Sequence, residues 1–174
     1  MNIKMMAAVH PKNINVPSDP NVEIMLNFES EHWRQVDFDV TAVTSTLVNT
    51  VLKEFVPGSY QGEISIILSH DQHLHHLNKT YRHQDKATNV LSFDYGPNAF
   101  DKGIIGDVFV SFETLTQEAV AQQKSLQNHF SHLIIHGVLH LLGYDHEHEQ
   151  DAKEMEQLEI EFLKQMNISN PYIN

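Results

Sequence analysis

The sequence contains no cysteine, which removes disulfides, thiolate metal sites, iron–sulfur clusters and cysteine nucleophiles together. Any bound metal must therefore rest on nitrogen and oxygen. Positive charge is scarce: 11 Lys+Arg against 23 Asp+Glu give −12 with histidine neutral, a balance that opposes tight non-specific binding to nucleic acid. No apolar run approaches the ~20 residues of a membrane span, and the opening MNIKMMAAVHPKNINVPSDP has no apolar stretch of signal-peptide length, so a cytoplasmic protein is expected. What the chain has in abundance is histidine, 13 in 174 residues, the commonest metal-ligand side chain. The same abundance makes chance histidine spacings more frequent. With 41% hydrophobic and 20% charged residues, the composition is that of one globular domain.

Residues 1–20, with Pro11, Pro17 and Pro20 and no periodicity, read as a poorly ordered lead-in, and 21–170 as a single domain. VEIMLNF from Val22 is a strand, and Val40, Val43, Leu47, Val51 and Phe55 recur at helical spacing until Pro57 and Gly58 stop the helix. Gly62–Leu68 is a β-branched strand, followed by a helix over SHDQHLHHLNKTYR with Ser69 or Asp71 near its N-cap. Thr88–Tyr95 and Ile104–Phe112 are strands joined by a long loop containing Gly96, Pro97 and Gly103. Helices are then expected over Glu113–Gln127, over Asn128–Leu142, which is apolar on nearly every side and hence buried and central, and over the amphipathic EQDAKEMEQLEIEFLKQM.

That buried helix carries His136 and His140. Four residues at ~100° each return the second imidazole to within ~40° of the first, so both can reach one ion. Gly143 stands where a helix-ending glycine belongs, and the turn after it allows His146 to fold back to the same point. HGVLHLLGYDH thus offers three nitrogens to one centre, and three protein ligands with an open position are the layout of a catalytic rather than a structural zinc. The sequence offers no obvious fourth ligand, although His148 or Asp145 could serve. Three unrelated core histidines would each need another partner, because an unpaired buried imidazole costs ~1–3 kcal/mol. The pattern HxxxHxxGxxH is also that of three-histidine zinc proteases, but their general-base glutamate is Gly137 here. The glycine leaves room for a bulky ligand or for close packing of another backbone.

A second cluster, NKTYRHQDKATNVLSF, places Arg82 at a helix end and Lys86 in the loop before a strand, one of few locally basic spots. Arg82 reads either as a solvated helix C-terminal cation or as a planar fork for phosphate. His70, His73, His75 and His76 read as an exposed helix face.

HGVLHLLGYDH, YRHQDKATNVLSF and GDVFVS, in this order, resemble the YbeY family of bacterial endoribonucleases and rRNA maturation factors, over roughly Ile64 to Phe162. The resemblance implies a single α+β domain with a small mixed four-stranded sheet packed with helices and a central buried metal-bearing helix. It implies one zinc ion on His136, His140 and His146, and it gives Arg82 the catalytic role; the local basic patch of Arg82 and Lys86 is then expected to bind substrate phosphates. The implied activity is cleavage of single-stranded RNA in 16S rRNA 3′ end processing and ribosome quality control, with small-subunit ribosomal proteins and an Era-type GTPase as partners. Metallopeptidase-like hydrolysis and a non-enzymatic assembly role with a structural zinc are the alternatives. The acidic charge is compatible with an RNA substrate if a local patch or a partner delivers it.

Overall fold

The computed structural model describes residues 19–173, the side chain of Pro97 apart, so the expected lead-in lies, up to residue 18, outside the described residues. The elements run β1 (Asn21–Phe28), α1 (Val40–Phe55), β2 (Gln61–Ser69), α2 (Asp71–Arg82), β3 (Val90–Phe93), α3 (Pro97–Phe100), β4 (Ile104–Ser111), α4 (Phe112–Ala121), α5 (Leu126–Leu141) and α6 (Glu149–Gln165). The sheet order is β1-β2-β4-β3. β1, β2 and β4 are parallel, and β3 pairs antiparallel with β4 at the edge. This is the mixed four-stranded α+β sheet expected from the resemblance.

One face of the sheet is covered along its width by the main core, and the other only beside β3 and β4, so the outward residues of β1 and of the start of β2 are exposed while Ile67 of β2 is buried. Ile64, Ile66 and Leu68 of β2 and Val108 and Val110 of β4 are fully buried in the main core, together with Leu47, Val48 and Val51 of α1 and Ile134, Val138 and Leu139 of α5. The opposite face of β3 and β4 carries α2. There the ring of Phe93 meets Phe109 edge-on at 5.7 Å and Tyr81 of α2 at 5.4 Å.

Helix α5 packs closely on β4, and glycine stands at two of the contacts. A Cβ on Gly137 of α5 would lie 2.5 Å from Cγ1 of Val108 and 3.2 Å from Oγ of Ser92. Gly106 of β4, at φ 142°, would put a Cβ 2.7 Å from Cδ2 of Leu141. Of the two roles open to Gly137, the structure takes close packing.

Several boundaries differ from expectation. The strand expected over Thr88–Tyr95 pairs only from Val90 to Phe93, since the Asn89 side chain takes the Val90 amide and the Asp94 side chain takes the Gly96 amide. The loop beyond it contains α3, whose Phe100 stacks on Tyr60 at 4.4 Å. The helix expected to reach Gln127 ends at Ala121; Gln123 turns to φ 56°, and Ser125 caps α5 by accepting from the Asn128 amide. A 3-10 turn over Glu31–Arg34 buries Trp33, whose Nε1 donates to the Ser69 carbonyl at 2.9 Å.

The N-cap of α2 is His70, without a side-chain bond, rather than Ser69 or Asp71. Asp71 is occupied elsewhere: its Oδ1 accepts from the Thr114 amide in the first turn of α4, while Oε2 of Glu113 in α4 accepts from the Asp71 amide. The two helix starts cap each other. Ser69 donates to Glu29 instead, whose carboxylate also accepts from His73.

Candidate metal centre

The geometry of the site follows from how α5 ends. Gly143, at φ 91°, donates its amide to the His140 carbonyl at 3.0 Å, and Tyr144 donates to the Leu139 carbonyl at 3.1 Å. This is the paired closure of a glycine-ended helix. It also swings the Tyr144 carbonyl under the last turn, where it accepts from Nδ1 of His140 at 2.9 Å. Asp145 then accepts from the His146 amide at 2.7 Å and holds the turn that presents the third imidazole. One bend thus stops the helix, orients His140 and returns His146. His136, His140 and His146 each bring one ring nitrogen within 4.8 Å of the others.

The rings are not merely near one another. Nδ1 of His136 faces Oε1 of Glu159 at 2.7 Å, and Nδ1 of His140 faces the Tyr144 carbonyl. Both partners only accept, so both Nδ1 atoms carry hydrogen. In the neutral rings the two Nε2 atoms therefore meet at 3.0 Å with lone pairs facing and no proton between them. A cation resolves that repulsion. Tetrahedral nitrogen ligation at ~2.0–2.1 Å places neighbouring nitrogens about 3.3 Å apart, close to the spacing seen. Burial, followed by the charges of His136 and His146, holds His140 down to about 4, so near neutral pH its ring is an available ligand. The residues fit a divalent ion.

Glu159 on α6 and His132 on α5 are the parts of this centre that sequence reasoning missed. Glu159 is 1% exposed; its Oε2 accepts from Nε2 of His132 at 2.8 Å while its Oε1 serves His136. Burial alone would raise this carboxyl, but the hydrogen bonds from His132 and His136 hold it at about 2, an anion behind the ligands. The signal was present: Glu159 falls between Met155 and Phe162 on the buried stripe of α6, where a carboxylate must have a partner. His132, four residues before His136, is not one of the three grouped nitrogens. Asp145 serves the turn, and His148 stands exposed at the N-cap of α6.

Arg82 and Lys86 lie beyond the edge strand. Arg82 closes α2, where His83 turns left-handed at φ 57°, and its exposed guanidinium touches the Ser92 carbonyl at 3.5 Å. Ser92 Oγ donates in turn to the Gly137 carbonyl at 2.9 Å, so one residue of β3 joins the arginine arm to the helix of the ligands. Lys86 is exposed, in a loop anchored by Asn78, which donates to the Lys86 carbonyl at 2.9 Å. Asp85 between them is held below its ordinary range by a hydrogen bond from Lys79 and then by one from His75. In the GDVFVS stretch, Asp107 accepts from the Tyr95 hydroxyl, which pushes that phenol up to about 12 and ties down the chain leaving β3.

An α+β domain whose central helix and following turn gather three imidazoles that could share one metal ion places the protein in the class of metal-binding α+β proteins. The family model for endoribonuclease YbeY matches residues 26–167. Among similar proteins, an endoribonuclease YbeY of Ruthia magnifica is 45% identical over 129 residues, 74% of this chain and 88% of that relative. One of Anaplasma phagocytophilum is 40% identical over 81% of this chain and 91% of its own length. One of Ehrlichia canis is 38% identical over 87% and 97%. The solution structure of a Thermotoga maritima protein shares the fold, with a TM-score of 0.51 at 18% identity over 87% of this chain and 97% of that one. The chain belongs to the endoribonuclease YbeY family. No helix among the described residues is long and apolar enough to cross a membrane.

Proposed function

We propose that this protein is a zinc-dependent endoribonuclease that cleaves single-stranded RNA in ribosomal RNA maturation, with His136, His140 and His146 as the metal ligands, Arg82 as the catalytic cation and Lys86 as a second phosphate contact. The single observation that carries the reading is the pair of facing Nε2 atoms of His136 and His140, with both Nδ1 atoms committed to acceptors. Zinc rests on the all-imidazole set, which also suits other late first-row metals. A bound ion supplies Lewis acidity at the phosphodiester and a lowered pKa for the attacking water.

The chain's own groups supply the rest. The Tyr144 carbonyl and Glu159 fix the two helical imidazoles, so no reorientation is needed when the substrate arrives. Arg82 presents a planar fork to the non-bridging oxygens, where charge accumulates as phosphorus becomes five-coordinate. Its exposure lets a polynucleotide reach it. Lys86, four residues on, meets an adjacent phosphate as a point charge. Small-subunit ribosomal proteins and an Era-type GTPase complete the proposal as partners that offset the acidic surface and deliver the RNA.

Two observations disfavour the alternatives. A structural zinc fills all four positions, whereas three residues group among the described residues. A peptidase glutamate at position 137 would have to start from a Cβ 2.5 Å from Val108. The deciding experiment is cleavage of an end-labelled single-stranded RNA by metal-loaded wild type, His140→Ala and Arg82→Ala, each checked for metal content and folding. Cleavage by wild type only, with metal retained by Arg82→Ala and lost by His140→Ala, is expected. Equal activity in all three would refute the proposal.

A further inference from the structure

Glu159 has a third donor, and it comes from the end of the chain. Beyond α6 the backbone reverses at Asn167, φ 59°, and runs back along α5 until the Tyr172 hydroxyl donates to Oε2 of Glu159, the oxygen that also serves His132. The Tyr172 ring meets His132 edge-on at 5.5 Å. Two further bonds hold this segment: Nζ of Lys124, in the α4–α5 connection, donates to the Pro171 carbonyl at 2.7 Å, and Asn170 Oδ1 accepts from the Tyr172 amide at 2.8 Å. A cavity of about 570 Å³ lies against the segment, lined among others by Lys124, Asn128, His132, Leu163 and Pro171. Ile168 packs the start of the segment against the core, and beyond it these bonds fix its course. Tyr172 lies beyond the stretch matched by the family model, which ends at 167.

A carboxylate behind a ligating imidazole fixes the ring's tautomer and rotation and raises its basicity, provided the carboxylate is itself held. Here Oε1 faces the ligand and Oε2 is held by two donors from different parts of the chain. We propose that Tyr172 and His132, acting through Glu159, are positioning residues for the metal centre, so that the C-terminal segment sets the orientation of His136 and with it the metal affinity. The proposal rests on the reading of His136, His140 and His146 as metal ligands.

The test uses the full chain and reads metal binding instead of turnover. Zn²⁺ affinity is measured by chelator competition, and the visible spectrum of the Co²⁺-loaded protein reports ligand geometry, for wild type, His140→Ala, Glu159→Gln, Tyr172→Phe and Lys124→Met. Thermal unfolding of each metal-free protein runs alongside. One ion per chain is expected in wild type, lost in His140→Ala. Glu159→Gln weakens Zn²⁺ binding about 10–100-fold, the usual size for a partner behind a ligand. Tyr172→Phe weakens it about 3–10-fold, the net worth of one ordinary hydrogen bond, with an altered Co²⁺ spectrum and little change in metal-free stability. Lys124→Met has a smaller effect that vanishes in the Tyr172→Phe background. Should Glu159→Gln not fold, Tyr172→Phe decides alone. Wild-type affinity and spectrum in Tyr172→Phe overturn the positioning role and leave the metal reading standing. Absence of an ion in wild type, or its retention in His140→Ala, overturns both.

Discussion

The histidine cluster and the arginine arm meet at Ser92, and they are held by opposite means. Each helical imidazole has a buried or half-buried acceptor behind it, and α5 itself is seated on β4 through glycine contacts. Arg82 and Lys86 stand exposed, one at a left-handed helix end and one in a loop, with a single long contact from the guanidinium to the edge strand. A small ion with a strict coordination geometry requires ligands placed before it arrives. A flexible polyanion is better received by side chains that adjust and act mainly through charge. The difference predicts which perturbations each region tolerates.

The largest effect is expected from His140→Ala, which should abolish both metal binding and RNA cleavage while leaving the far-UV circular dichroism of the fold; metal analysis and a gel assay check it. Retained metal would show that the cluster is not the gripped region it appears in the geometry. Gly137→Glu should destabilise the protein by about 3 kcal/mol or more, since it drives an unpaired carboxylate into the α5–β4 seam; urea unfolding measures this, and no peptidase activity should appear. On the other side of the comparison, Arg82→Ala should lower kcat about 100-fold, the typical worth of one donor to developing charge, with metal content and stability at wild-type values. A drop in stability or metal content would mean that the arm also holds the centre together.

Acid separates the regions in another way. In metal-free protein His140 titrates at about 4 against an ordinary 6.5. Between those values the unfolded chain binds the extra proton, so stability contributed at this group is complete above pH 6.5 and falls as pH drops toward 4, by on the order of 2–3 kcal/mol. Glu159, held at about 2, keeps its charge throughout that window. Urea unfolding in chelator at pH 7 and 4.5 should show the loss, reduced in His140→Gln. The smallest effect belongs to the arm: RNA affinity should fall with salt, and Lys86→Ala should flatten the slope of log K against log salt by about 0.7, the value for one single-strand phosphate contact. An unchanged slope would remove Lys86 from the binding surface.

Much of this was legible because the decisive features are local. The i, i+4 spacing of His136 and His140, the glycine at 143 and the return to His146 lie within eleven residues, and a helix end has few ways to close. Helices α1 and α6 announced themselves by period, and the strands β2 and β4 by apolar runs set between turn residues. Where the reading failed, a side chain from elsewhere had overruled local propensity: Asn89 and Asp94 shortened β3, and Ser125 with the left-handed Gln123 split one expected helix from the next. Glu159 and Tyr172 were missed because they lie 23 and 36 residues after His136 and no local pattern joins them to it. An acidic residue on the buried stripe of an amphipathic helix was the one available clue.

The mutual caps at the starts of α2 and α4 carry a consequence for motion. Asp71 closes the first turn of α4 and Glu113 that of α2, so neither helix can fray at that end without stripping the other of its partner. The two open and close as one cooperative unit. Arg82, at the far end of α2, is therefore carried on a moored lever: its exposed guanidinium reaches the Ser92 carbonyl from a backbone that belongs to a two-helix block.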